Sequence, residues 1–235
     1  MIIVQTNFVL EVYHMKYILK NQLNVALIIG IIVLYIAFLS LDIFSFPRSI
    51  ESRHFKYASI VLCFLLATLL SANSTDKWDS SLVVLALIFA MLADTFLLFT
   101  NYKIIGIFFF CLMQLTYLKR YNVRFFKAGI FFSVVAIIVH LLLPFEPLYV
   151  IAGLYAYLIV SCFFATFRTK LPKFNLFCVR VGMALFILCD IHVALYNQLS
   201  SSSNYYRYVT VAMWLFYLPA QFLLAMSASH PYVEG

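Results

Sequence analysis

Charge is what this sequence has least of: 11% of its 235 residues are Asp, Glu, Lys or Arg, against about 25% in an ordinary soluble domain. With 65% of the residues apolar and 18% aromatic, too little polar surface remains to coat a water-soluble fold, and the chain must be solvated by lipid. Glycine and proline are scarce too, six of each, and Pro219 alone falls in the middle of an apolar run, which argues against helices broken at membrane depth. The five cysteines, Cys63, Cys111, Cys162, Cys178 and Cys189, form no CxxC pair that would suggest a metal or redox site and read as small core hydrophobes. HExxH, His-x3-His and GxSxG are all missing, which excludes a recognisable zinc hydrolase or serine lipase elbow. A net charge of +7 points toward nucleic acid at first sight, but the basic residues form no stripe, and no nucleic-acid partner is expected. Residues 1 to 22 lack a continuous apolar h-region, since Glu11, His14, Lys16 and Lys20 interrupt it, so no removable signal peptide is expected. Met15 offers an alternative start.

What is abundant is long apolar stretches. A transmembrane helix needs roughly 17 to 25 mostly apolar residues, and polar punctuation divides this chain into eight such segments. They run approximately over 23–41, 56–72, 82–100, 104–118, 126–143, 148–167, 176–197 and 208–228. Barrel strands would alternate apolar and polar every second residue, and these runs do not, so the expected fold is an all-α membrane protein. One eight-helix membrane domain over 23–228 is predicted, between tails at 1–22 and 229–235. Eleven Lys and Arg fall on the side of the amino terminus and five on the other, a bias that places both termini in the cytoplasm, as in a bacterial inner-membrane protein.

Nine acids occur, and seven lie in tails, loops or helix ends where solvent is at hand. Asp94 and Asp190 instead interrupt LIFAMLADTFLLF and MALFILCDIHVALY. An ionisable side chain at the centre of a membrane helix costs about 2.5 to 3.5 kcal/mol even on the lenient insertion scale, and such a cost asks for a role. Segments 3 and 7 run in the same direction, so the two aspartates share a depth of roughly 18 to 21 Å from the cytoplasmic side, in the outer half. Asn101 and Asn197 each follow seven residues later, which predicts the same helix face. Val83/Val179 and Leu92/Leu188 match as well, and the pattern suggests a parallel four-plus-four repeat. The competing structural reading makes each aspartate polar glue between helices.

Other polar residues within the spans are fewer. Lys56 opens segment 2 from the outer side, where it could reach the aspartates or a phosphate, or snorkel as an anchor. Gln114 and Tyr117 share a face of segment 4, and Tyr217 and Gln221 share one in segment 8 at i, i+4 spacing. Pro219 removes a backbone hydrogen bond there and predicts a kink. His192 points away from the Asp190 face and, like His140, reads as a satisfied or interfacial histidine.

Several of these stretches resemble one known family in the same order along the chain. LALIFAMLADTFLLF followed by IIGIFFFCLMQLTYLKRY, then VGMALFILCDIHVALY, then WLFYLPAQFLLAMS, together with RHFKYASIVLCFLLAT, are similar to the signature segments of the lysoplasmalogenase-like YhhN family. The likeness covers roughly residues 25 to 228. Asp94, Asp190, Lys56, Tyr117, Tyr217 and Gln221 match the family's pattern. Four positions depart from it: Ala93 for glycine, Gln114 for histidine, Tyr57 for proline and Cys189 for serine.

The resemblance implies eight helices and hydrolysis of the vinyl ether bond of lysoplasmalogen, with Asp94 and Asp190 catalytic and Lys56, Gln114, Tyr117, Tyr217 and Gln221 binding the substrate. No cofactor or metal is implied. The partners would be a lysophospholipid or ether-lipid substrate and the surrounding membrane lipids. Two carboxylates suit this chemistry, because protonation of the vinyl carbon creates an oxocarbenium-like centre of the kind that paired carboxylates handle in glycoside hydrolysis. The alternative reading is a non-enzymatic lipid-binding or proton-coupled transport protein of the same fold, since mid-membrane carboxylates in parallel repeats also occur in transporters.

Overall fold

The computed structural model describes residues 18–19, 21–44, 51–142, 146–199 and 205–229. They form eight long helices: α1 (Gln22–Phe44), α2 (Ser52–Ala72), α3 (Lys77–Phe99), α4 (Lys103–Tyr121), α5 (Val123–Leu142), α6 (Pro147–Ala165), α7 (Lys173–Gln198) and α8 (Tyr205–Met226). All eight are long and apolar enough to cross a membrane, and no strand occurs among the described residues. The fold is therefore the multi-pass α-helical bundle that the composition requires. Residues 1–17 and 230–235, the alternative start at Met15 and the serine linker at 200–203 lie outside the described residues. Ile18 is fully buried, and Asn24 donates to its carbonyl at 3.1 Å, so chain packing reaches into what hydropathy alone assigns to a tail.

Most helices extend beyond the apolar runs that announce them. Hydropathy marks the lipid-facing stretch, whereas a helix ends where its backbone hydrogen bonds end. Thus α3 begins at Lys77, five residues before the apolar run, because Asp76 caps it by accepting from the Asp79 N–H at 2.9 Å. Similarly α2 begins at Ser52, before Lys56: Tyr57 leaves intact the backbone donor that a proline there would remove.

Helices adjacent in sequence pack as antiparallel neighbours throughout. Beyond those neighbours, α4 packs on α6 while α8 packs on α1, α2 and α3, and the α4–α6 and α8–α2 contacts correspond when the two halves of the chain are exchanged. The carboxylate positions follow this repeat, since Asp94 lies seventeen residues after Lys77 and Asp190 seventeen after Lys173, the first residues of α3 and α7. At 1.5 Å per residue each is about 26 Å from the end where its helix begins. The asparagine match does not follow. Asn101 falls in a bend past the end of α3, whereas Asn197 stays within α7 and donates to the Val193 carbonyl at 2.8 Å.

Helix α8 continues through Pro219. A proline leaves the carbonyl four residues earlier without its helical donor, here that of Leu215. The Tyr35 hydroxyl of α1 donates to this carbonyl at 2.9 Å, so the free acceptor becomes a seam between α1 and α8. Tyr35→Phe should therefore destabilise the bundle by about 1 to 3 kcal/mol, the usual cost of stranding a polar group away from water. Thermal unfolding in detergent checks this, and an unchanged midpoint would refute it.

Candidate active site

Both aspartates point at tyrosines on other helices. The Tyr217 hydroxyl of α8 donates to Asp94 Oδ2 at 2.6 Å, and the Tyr155 hydroxyl of α6 donates to Asp190 Oδ2 at 2.7 Å. Hydroxyl bonds this short belong to the stronger class of hydrogen bond when the carboxyl group that accepts them is ionised. Each holds one carboxylate in place and engages one of its two oxygens. Aromatic rings join the two pairs: Phe110 of α4 lies 6.2 Å from the Tyr217 ring and 5.9 Å from that of Tyr155, while Phe186 of α7 packs edge-on to Phe110 at 5.9 Å and to Tyr217 at 5.5 Å. The Cys189 thiol lies within electrostatic reach of both Asp94 and Asp190, as do the hydroxyls of Tyr155 and Tyr217 of one another. The two Asp–Tyr pairs thus border one centre inside the bundle. They differ in access, because Asp94 is only 4% exposed whereas Asp190 and Tyr155 are half-buried.

Lys56 turns inward and reaches neither aspartate of the pair. Its ammonium forms an ion pair with Asp42 of α1 at 2.7 Å and sits 4.9 Å above the Trp214 ring, with only 8% of its side chain exposed. A snorkelling role is excluded by that burial. Trp214 in turn packs edge-on to Tyr217 at 5.2 Å, so the cation borders the Asp94 pair through one shared ring. The hydroxyl of neighbouring Tyr57 accepts from Thr95 at 3.0 Å, tying α2 to α3 one residue beyond Asp94.

Helices α4 and α8 run in parallel register. Phe110 meets Tyr217 near one end, and Arg120 bonds Ser227 near the other, with the same offset of 107 residues. Gln114 and Gln221 share that offset and so lie level with each other, about 6 Å from the Phe110–Tyr217 level at 1.5 Å per residue. Gln221 faces the Tyr217 hydroxyl. Tyr117 lies deeper still, stacked on Tyr121 at 5.7 Å, and is separated from the Asp94 pair by nearly two helical turns. His192 is satisfied by the Leu188 carbonyl at 2.7 Å and packs on Phe216.

Five contributors are not visible as site residues in the sequence: Asp42, Phe110, Tyr155, Phe186 and Trp214. Trp214 carried a signal, since it stands three residues before Tyr217 on one face of α8. Tyr155 carried none, because only packing of α6 against α7 brings it to Asp190.

An eight-helix membrane bundle with two interior carboxylates, each fixed by a tyrosine from another helix, defines a polytopic membrane protein built around a polar centre. The YhhN family model matches residues 52–228, from the first residue of α2 to just past α8, and the chain belongs to that family. No curated protein and no solved structure matches the chain.

Proposed function

We propose that this chain is an integral membrane hydrolase that cleaves the vinyl ether bond of lysoplasmalogen, releasing a fatty aldehyde and a glycerophospho-alcohol. The observation that carries this reading is the pair of tyrosine-held carboxylates around one aromatic centre, in a member of the YhhN family. In the reaction one aspartic acid protonates the vinyl carbon distal to oxygen, and positive charge develops on the carbon bonded to oxygen. The other, ionised, aspartate stabilises that charge and accepts a proton from the attacking water. The resulting hemiacetal collapses to aldehyde and alcohol. The faces of Phe110, Phe186 and Trp214 add the attraction of aromatic rings for a developing cation.

The half-buried Asp190–Tyr155 pair between α6 and α7 supports access from the lipid on that side, with Asp94 deeper inside. Gln221 and Gln114, just below Tyr217, would bond the ether oxygen and glycerol hydroxyls. Lys56 would serve the substrate phosphate in competition with Asp42. Lys56→Gln should then raise KM roughly tenfold or more with kcat little changed, since a hydrogen bond to a charged group contributes about 1.5 to 3 kcal/mol. Equal KM values for the variant and the wild type would remove Lys56 from the substrate site.

Purified protein in lipid nanodiscs should release fatty aldehyde from lysoplasmalogen and none from the saturated ether analogue. Proton-dependent solute flux into liposomes without aldehyde would favour a transporter instead. The continuity of α8 through Pro219, with Leu215 satisfied by Tyr35, weighs against that alternative, because carriers of this type use broken helices at the binding site.

A further inference from the structure

Five polar side-chain atoms between the carboxylate centre and the opposite end of the bundle find no hydrogen-bond partner: both amide atoms of Gln114, Oε1 of Gln221, and the hydroxyls of Tyr117 and Tyr121, while the Gln221 amide nitrogen turns toward the Tyr217 hydroxyl. Their side chains are buried, Gln114, Gln221 and Tyr117 at 0% exposure and Tyr121 at 4%. An amide or hydroxyl left unbonded away from water costs about 1 to 3 kcal/mol by protein mutational data, so five together are not tolerable in a dry packed interior. Nor are they scattered. Gln114, Tyr117 and Tyr121 follow i, i+3, i+7 spacing on one face of α4, and the common offset of 107 residues sets Gln221 level with Gln114. On α8 Leu224 interrupts the polar face, and α4 alone carries it onward through Tyr117 and Tyr121.

This column has polar ends. At one stands the Asp94–Tyr217 pair, whose hydroxyl faces Gln221. At the other stands Arg120, which bonds Asp79 and Ser227 where α3 begins and α8 finishes. The distance between the ends, from Tyr217 to Ser227, is about 15 Å at 1.5 Å per residue. Buried waters characteristically bridge groups of this kind, making about three hydrogen bonds each.

We propose that the α4–α8 column holds a file of water molecules that connects Asp94 to the end of the bundle where α3 and α7 begin, and that this file supplies the water consumed in hydrolysis. The second half of this statement rests on the hydrolase reading; the first does not. A hydrolase sunk in lipid needs one water per turnover at a carboxylate shielded from solvent. Lipid substrate reaching Asp190 from the side occupies the column no deeper than the Gln114–Gln221 level and leaves its length along Tyr117 and Tyr121 for water.

X-ray radiolytic hydroxyl-radical labelling of the full chain in nanodiscs, read by mass spectrometry, tests the file without reference to activity, because radicals form only where water sits. Tyr117 and Tyr121 should label rapidly despite their burial, unlike Phe38, which is equally buried and packed edge-on against the rings of Tyr35 and Trp214. In Gln114→Leu/Gln221→Leu protein their labelling should fall to the Phe38 level while that of exposed Tyr149 stays unchanged. Wild-type Tyr117 and Tyr121 labelling no faster than Phe38 overturns the proposal, and that measurement needs no variant to fold. Rapid labelling in a protein that releases no aldehyde keeps the file and removes the hydrolase, whereas aldehyde release without labelling does the reverse.

Discussion

Asp94→Asn should lower aldehyde release from lysoplasmalogen by a factor of about 10² to 10⁴, the range contributed by a positioned acid or base. The substitution isolates chemistry from folding. Asparagine has the shape of aspartate, and its carbonyl oxygen can still accept the Tyr217 hydroxyl, so the α3–α8 contact at 2.6 Å has a substitute. What asparagine cannot do is deliver a proton to carbon or carry the negative charge that faces a developing cation. Asp190→Asn should lose a similar factor, its bond from Tyr155 likewise preserved. If the carboxylates act on one substrate as acid and base, the double variant should be little worse than either single one, because groups that work as a unit are strongly non-additive. Steady-state aldehyde release, with thermal unfolding as the folding control, gives the answer. A fully active Asp94→Asn/Asp190→Asn protein would return both residues to the role of glue between helices.

The parts of this arrangement that were legible in the sequence are those that depend on one helix at a time. Eight spans follow from apolar length, and Asp94 and Asp190 stand out because a charge inside an apolar run is expensive. Their common depth follows from counting along α3 and α7. What connects helices was not legible. Tyr155 has no sequence relation to Asp190, and Asp42, just beyond the apolar run of α1, reads as a solvated acid until α2 brings Lys56 within 2.7 Å of it. The boundary errors have the same origin, since Lys77 and Asp79 look like loop residues to hydropathy yet lie inside α3. Asn101 misled in the opposite sense: seven residues after Asp94 is a shared face only where the helix continues, and α3 stops at Phe99.

Arg120 is the sharpest case of a residue whose sequence signal and structural role diverge. As one of four basic residues around the α4–α5 junction it reads as a topology signal, yet its side chain is entirely buried. Its Nε donates to Asp79 Oδ1 at 2.9 Å and its Nη2 to Asp79 Oδ2 at 2.7 Å, a two-pronged pairing of guanidinium and carboxylate. The Ser227 hydroxyl and carbonyl accept two further bonds at 2.7 Å each, and Asn175 of α7 donates to the same Ser227 carbonyl. One side chain therefore joins the start of α3, the end of α4 and the segment after α8, with α7 held to the same point. Arg120→Leu should destabilise the bundle by about 3 to 5 kcal/mol, because removing one member leaves the other charge buried and uncompensated. Asp79→Leu should cost a similar amount. The double replacement should cost clearly less than the two added together, since a buried pair exchanged for apolar side chains carries no stranded charge. Unfolding midpoints of the four proteins in one detergent complete the cycle. Strictly additive losses would mean that the two groups are not coupled, and an unshifted midpoint for Arg120→Leu would mean that this cluster does not hold the bundle together.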